Sequence, residues 1–136
     1  MMKKIFTAVF LFLFTTAAQA EIVVIGNLKN NLQSLNSIQV EDIFMGRTRS
    51  LPNGRIALPI DQSALRSEFY QKLVSRPIEQ INAYWARIIF TGQVSPPTLL
   101  ADDNAVITIV NENKDAIGYI DRKNLDNRVR ILLILN

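Results

Sequence analysis

Hydrophobic residues recur along the chain in two spacings, and these predict strands that alternate with helices. Short, continuous apolar runs rich in Ile, Val and Leu are typical of buried strands. They occupy residues 22–25, 56–60, 117–120 and 129–135. Apolar residues spaced three and four apart are typical of helices that bury one face. They occupy residues 37–45, 63–75 and 77–90. The alternation predicts an α/β sandwich with a partly parallel sheet.

The third predicted helix carries the clearest apolar stripe. Ile78, Ile81, Trp85 and Ile88 lie three or four positions apart, so core packing is predicted for Trp85 rather than stacking on a ligand. A fourth segment, residues 105–112, reads equally as a helix or a strand because it is rich in Val, Ile and Thr.

Residues with capping preferences mark several of the helix boundaries. Ser37 is the predicted N-cap of the first helix, and Ser63 has the right position and chemistry to cap the second. Gly46 and Gly92 fall where the first and third helices would end. Thr91, beside Gly92, could offer its hydroxyl to a ligand, although a helix end explains the pair more simply.

The first 20 residues have the pattern of a cleavable signal peptide. Lys3 and Lys4 precede an apolar run over residues 5–14, and Ala18-Gln19-Ala20 follows as a small-residue cleavage site. A retained membrane anchor is the alternative, but the run is shorter than the roughly 20 apolar residues that span a bilayer. No cysteine follows it, so no lipid attachment is predicted. We therefore expect residues 21–136 to form one periplasmic domain.

Composition excludes several classes of function. Of the 15 basic residues, Lys3 and Lys4 leave with the signal peptide, so 13 basic residues face 12 acidic ones. Such a balance argues against nucleic-acid binding. The chain has no Cys and no His, which excludes Ser-His-Asp and Cys-His nucleophiles and zinc sites built on those ligands. We expect neither an enzyme nor a cofactor, and the adjacent Asp102 and Asp103 are weak evidence for a calcium site.

An ordered set of motifs gives the chain a family resemblance. The motifs are VEDIFMG (40–46), NGRIALPID (53–61), RSEFY (66–70), YWARIIFTG (84–92), PP (96–97) and AIGYID (116–121). In their order and spacing they resemble small exported proteins related to the phosphate-binding component of bacterial phosphate ABC importers. Those belong to the type II periplasmic binding protein superfamily. The resemblance implies a single-lobe three-layer α/β sandwich, since full-length members have two lobes and this chain has room for one.

The resemblance also implies an anion site after the strand at 56–60. In the full-length importer proteins an Arg at the strand end and a Ser-Gly-Thr at the helix start bind phosphate. Asp61 stands about where that Arg would be, Ser63 matches the Ser, and other residues replace the Gly and Thr. Arg66, one helical turn later, could point back to the same place. The predicted anion-binding residues are Asp61, Gln62, Ser63, Arg66 and Thr91.

Two functions of different classes remain open at this stage. The first is a periplasmic module that binds phosphate or another small oxyanion, linked to ABC-type transport and able to rebuild a cleft as a homodimer. The second is a non-catalytic interaction module that has lost ligand binding and docks onto an envelope or membrane protein. The retained Ser63 and Arg66 favour the first, and the replaced Gly and Thr favour the second.

Overall fold

The computed structural model describes residues 4, 5, 7–13 and 19–136. Most of the predicted signal peptide precedes the folded part, and its residues 1–3, 6 and 14–18 lie outside the described residues, so its cleavage stays a prediction. Four α-helices and five strands follow in chain order, with a 3₁₀ helix (Arg122–Asn124) between the last two strands. They are β1 (Ile22–Asn27), α1 (Ser37–Phe44), β2 (Leu58–Gln62), α2 (Arg66–Val74), α3 (Ile78–Thr91), β3 (Thr98–Leu100), α4 (Asp103–Glu112), β4 (Ala116–Asp121) and β5 (Val129–Leu135).

The strands form one mixed sheet in the order β3-β2-β4-β1-β5. β2 pairs in parallel with both β3 and β4, whereas β1 runs antiparallel to β4 and β5. The predicted partly parallel sheet is therefore confirmed. Three strands, β2, β3 and β4, point their carboxyl ends toward the same edge, because neighbours in parallel pairs share a direction.

Helices cover both faces of the sheet, as the predicted three-layer sandwich requires. Ile117 and Tyr119 of β4 pack with side chains of α1, α2 and α3 on one face. Ala116 and Ile120 pack with α4 on the other. Successive side chains of a strand point to opposite faces, so β4, buried throughout except at its last residue, serves two cores.

The apolar stripe of α3 faces the first of these cores. Ile81 and Trp85 are buried, with Ile78 and Ile88 partly buried beside them. Core packing of Trp85 is thus confirmed.

A close contact between layers explains Gly118. A Cβ added there would lie 2.5 Å from Cγ1 of Val106 in α4, well inside van der Waals contact. The glycine lets the helix approach the sheet closely.

The helix starts differ from the sequence predictions in two places. Asn36, not Ser37, caps α1, since its side chain accepts from Gln39 N and Gln39 reaches back in a capping box. The second helix begins at Arg66 rather than 63, with Leu65 at the N-cap and no side-chain cap. Ser63 therefore does not cap it, because the β2 strand continues through Gln62 and a turn separates the two elements.

The structure assigns one segment that the sequence left ambiguous and adds one strand that the sequence does not predict. Residues 103–112 form a helix, begun by Asp102, whose side chain accepts from Ala105 N at 3.0 Å. β3 was not predicted, because three residues at a sheet edge give no periodic signal.

In the part of the chain that the structure describes, no helix is long and apolar enough to cross a membrane.

Candidate functional site

The candidate site lies at the edge of the sheet where the parallel strands end. β2 ends at Gln62, β3 at Leu100 and β4 at Asp121, and the helices α2 and α4 begin at the same edge. Open α/β sheets bind ligands at this position, because strand ends and helix N-termini converge there. The turn that follows β2 is tied to β3, since Ser63 N donates to Leu100 O at 2.9 Å.

Asp61 is buried under two tyrosines rather than exposed at this edge. Its carboxylate accepts from the hydroxyl of Tyr119 at 2.9 Å and from that of Tyr70 at 3.1 Å. The Tyr119 hydroxyl in turn accepts from Gln62 N at 3.2 Å. Only 3% of Asp61 is exposed. The carboxylate is thus held inside the fold and cannot reach a solute at the edge without disrupting these bonds.

Burial decides the protonation of this cluster. Desolvation raises the pKa of Asp61 above its ordinary range, and the hydrogen bond from Tyr119 and the charge of Arg66 partly offset that rise. Burial also raises the pKa of Tyr70 and of Tyr119, with the neighbouring Asp61 charge acting in the same direction. Both phenols therefore remain protonated donors at neutral pH.

Arg66 lies between the buried cluster and the surface. Its Nε is 3.4 Å from Asp61 Oδ2, its Nη1 donates to Asn82 Oδ1 at 2.5 Å, and its guanidinium lies 5.4 Å from the centroid of the Tyr70 ring. Its side chain is 21% exposed. Among the described residues Nη2 has no hydrogen-bond partner, so one edge of the guanidinium is still available to a ligand.

Ser63 lies at the surface just before α2. Its hydroxyl has one long contact, 3.4 Å to Leu100 O. No side chain of the described residues caps the first turn of α2, so the N–H groups at this helix start remain unsatisfied by the protein. An exposed hydroxyl therefore directly precedes a helix start that no side chain of the described residues caps.

The edge also contains a cleft of about 540 Å³ between the starts of α2 and α4 and residues 121–128. Gln62, Ala64 and Leu65 line one wall. Four carboxylates and two cations are among the other lining residues: Asp102, Asp103, Asp121, Asp126, Lys123 and Arg128. In the described part of the chain, no group of three or more acidic side chains is close enough to hold a metal ion.

Thr91 is not part of this site. It is the last residue of α3, is exposed, and donates its hydroxyl to Ile88 O at 2.6 Å. Asn82, which contacts Arg66, lies nine residues earlier, and a helix rises about 13 Å over that length. The structure therefore brings together Asp61, Gln62, Ser63 and Arg66 but leaves Thr91 at the far end of α3.

Three partners of the site were not found from the sequence: Tyr70, Tyr119 and Asn82. Tyr119 lies two positions after Ile117 in β4, so both side chains point to the same face of the sheet. That pattern predicts a core residue and says nothing of a hydroxyl over Asp61. Asn82 carries no sequence signal, because a polar residue on a helix is ordinarily a solvated one.

Comparisons with known proteins bear on the fold. No protein-family model matches the sequence, and no curated protein matches it significantly. Solved structures do match. One, described as a phosphate ABC transporter substrate-binding protein with bound phosphate from Clostridium perfringens, has a TM-score of 0.66 and 18% identity. The chain has the fold of a single periplasmic-binding-protein lobe.

Two other matches show the same likeness. An ABC-type phosphate transport receptor from Vibrio cholerae has a TM-score of 0.65 and 16% identity, and PstS from Borrelia burgdorferi has 0.61 and 14%. Each of the three matches covers 83% of this chain. The lobe spans 44–46% of the length of these proteins. The resemblance found in the sequence is confirmed at the level of the fold.

Proposed function

We propose that this protein is a non-enzymatic periplasmic module that binds phosphate or another small oxyanion at the start of α2. The fold is one of solute-binding proteins, and the likeness of the whole lobe supports a link to ABC-type phosphate transport. The site lies at the carboxyl edge of the parallel strands, where this architecture binds ligands.

The observation that carries the proposal is the uncapped helix start beside Ser63. Backbone N–H groups at a helix N-terminus and the helix dipole favour an anion. The Ser63 hydroxyl adds a donor at the surface, and the free Nη2 of Arg66, the first residue of α2, adds a charged one. These are the donor types that a tetrahedral oxyanion accepts from.

The surrounding charges define the kind of anion. Asp61 neutralises part of the Arg66 charge at 3.4 Å, and Glu68 lies in the first turn of α2. A singly charged, protonated phosphate is repelled less by these carboxylates than a doubly charged one. We therefore expect phosphate to bind more tightly at pH 6, where it is mostly singly charged, than at pH 8, where it is mostly doubly charged.

A single lobe supplies only one wall of a cleft. Ser63 and Ala64 are exposed, so a bound anion would remain open to water on one side. A second copy of the chain facing the first, or a membrane transporter, would close the site. We propose the second copy, because two identical lobes would rebuild a two-sided cleft from the same residues.

The end of α3 favours a second candidate function, docking onto an envelope or membrane protein. Phe90 is 94% exposed and its neighbour Ile89 is 50% exposed. The two residues are neighbours in the chain, and adjacent exposed apolar side chains are candidates for a contact surface. If Phe90 contacts a partner, Phe90→Ser should abolish recovery of that partner after cross-linking in the envelope, whereas Ile38→Ser, at another exposed apolar residue, should not.

Calorimetric titration of the purified protein with phosphate and with sulfate tests the first candidate. We expect saturable heat with phosphate, weakened about tenfold by Ser63→Ala. Ser95→Ala, which removes a hydroxyl from an exposed loop away from α2, is the matched control and should leave the affinity unchanged. No heat with either anion up to millimolar concentration would contradict the proposal.

A further inference from the structure

The side chain of Arg66 crosses from the start of α2 to α3, where its guanidinium meets a second polar group. Its Nη1 donates to Asn82 Oδ1 at 2.5 Å, and Asn82 lies in the first half of α3. An arginine side chain can only donate hydrogen bonds, so the carbonyl oxygen of the Asn82 amide must be the atom that faces it. The orientation of this amide is thus fixed by chemistry, and Nδ2 is the atom left for another partner.

The N–H donors of Asn82 are unused within the described part of the chain. The residue is exposed, and no described residue accepts a hydrogen bond from Nδ2. Asparagine is a poor helix former because its short side chain competes for nearby backbone groups. Here the side chain bonds to Arg66 instead of the backbone of α3. That contact explains the carbonyl oxygen of Asn82 but gives its amide nitrogen no role.

The guanidinium of Arg66 also has a donor to spare. Its Nε and Nη1 are engaged by Asp61 Oδ2 and Asn82 Oδ1, whereas Nη2 has no partner among the described residues and is not buried. The contact with Asp61 is long at 3.4 Å, compared with about 2.7–2.9 Å for a strong charge-assisted bond. Tyr70 and Tyr119 also donate to that carboxylate. Arg66 therefore keeps both a free donor and part of its charge for a ligand.

We propose that Asn82 is a second ligand of the oxyanion, provided by α3, and that its Nδ2 donates to the same anion as Nη2 of Arg66. The inference rests on the proposed oxyanion site. The two nitrogens belong to planar groups that are joined by the 2.5 Å hydrogen bond, so only a few bond lengths separate them. A tetrahedral oxyanion presents several acceptor oxygens at once and can bridge such neighbouring donors. The anion is then held between α2 and α3 rather than by α2 alone.

Removing the amide of Asn82 tests this contact. We expect Asn82→Ala to weaken the binding of inorganic phosphate about tenfold in calorimetric titration of the purified protein, because one donor to a charged ligand is lost. Alanine is a better helix former than asparagine, so the variant should remain folded, which thermal unfolding checks. Gln80→Ala removes an exposed amide two residues earlier in α3. It is the matched control and should leave the affinity unchanged.

A direct contact also has a signature that a purely orienting role lacks. In isotopically labelled protein followed by NMR, the side-chain amide signal of Asn82 is identified by its loss in Asn82→Ala. This signal should shift saturably with added phosphate, and its midpoint concentration should equal that of the backbone amides of residues 63–68. The side-chain amide signal of Gln80 should not shift.

The outcomes distinguish this inference from the proposal on which it rests. Unchanged phosphate affinity in Asn82→Ala would overturn the role of Asn82 and leave the oxyanion site at the start of α2 standing. Weaker affinity without a shift of the Asn82 side-chain signal would mean that this residue only orients Arg66, which contradicts the direct contact. If the unaltered protein binds no phosphate up to millimolar concentration, the oxyanion site itself is wrong and the inference fails with it.

Discussion

Tyr119 donates a hydrogen bond to Asp61 at 2.9 Å while its ring stacks on Phe69, with the ring centroids 3.6 Å apart. Tyr119 thus links the hydrophobic core to Asp61, which is the only buried charged residue among the described residues. Its hydroxyl also accepts from Gln62 N. The two hydrogen bonds of Tyr119 therefore position the end of β2, where the candidate site begins.

Removing that hydroxyl should destabilise the protein. We expect Tyr119→Phe to lower the free energy of unfolding by about 2–3 kcal/mol, because it leaves Asp61 with fewer donors and Gln62 N without an acceptor. Denaturant unfolding measures the change. Tyr84→Phe is the matched control: its hydroxyl donates to Met45 O at 2.6 Å in a half-buried place, and its loss should cost about 1 kcal/mol. An equal or smaller effect of Tyr119→Phe would contradict this role.

The fold was largely predictable because its signals are local. The stripe through Ile81 and Trp85 and the apolar run of β4 each depend on residues a few positions apart, and both were predicted correctly. The start of α2 was not, since the hydroxyl of Ser63 suits a cap but the β2 strand extends past Ile60 as far as Gln62 to pair with β3, itself unpredicted. Strand pairing overrides local capping preference there.

The candidate site was predicted only in part because it depends on distant contacts. Asp61 and Tyr119 are 58 residues apart in the chain, and nothing local indicates that they meet. The sequence placed Asp61 beside a ligand, whereas the sheet turns it toward the core. Gln62 was named as a candidate, but the structure buries it, with its Nε2 donating to Asp103 Oδ1 and Tyr119 O.

The pH dependence of stability should reflect the buried Asp61. Because the pKa of Asp61 is raised in the fold, the folded state holds the proton of this carboxyl more tightly than the unfolded state, in which the carboxyl titrates near 3.8. Protonation of Asp61 therefore stabilises the fold. This contribution is fully present below pH 3.8 and is lost as the pH rises through the folded pKa.

The non-titrating variant Asp61→Asn isolates this contribution. The free energy of unfolding of the wild type minus that of Asp61→Asn should fall as pH is raised from 3 to 7. Denaturant unfolding at several pH values gives both quantities. A difference that rises over the same interval would mean that the pKa of Asp61 is lowered in the fold.

The contact between α4 and β4 predicts a cost for any side chain at Gly118. Gly118→Ala would place a Cβ 2.5 Å from Val106 Cγ1, and we expect a loss of about 1–3 kcal/mol from overpacking. Val106→Ala should create room, so the added cost of Gly118→Ala in that background should be smaller by about 1 kcal/mol. Additive effects in the double-mutant cycle would show that the two positions do not interfere.

Export predicts a defined start of the mature protein. Protein recovered from the periplasm should have the mass of residues 21–136, beginning at Glu21. Replacing Ala20 with Tyr should block cleavage, because only small side chains fit the cleavage site. Intact-mass spectrometry measures both, and a wild-type mass that includes residues 1–20 would favour the retained anchor.

The most direct test of the oxyanion site follows backbone amide signals by NMR during titration with inorganic phosphate. If the anion lies at the start of α2, the amides of residues 63–68 should shift saturably and together, and Ser63→Ala should weaken that response. Amides at the end of α3, around Thr91, should stay unchanged. Shifts confined to other regions, or none up to millimolar phosphate, would contradict the proposed site.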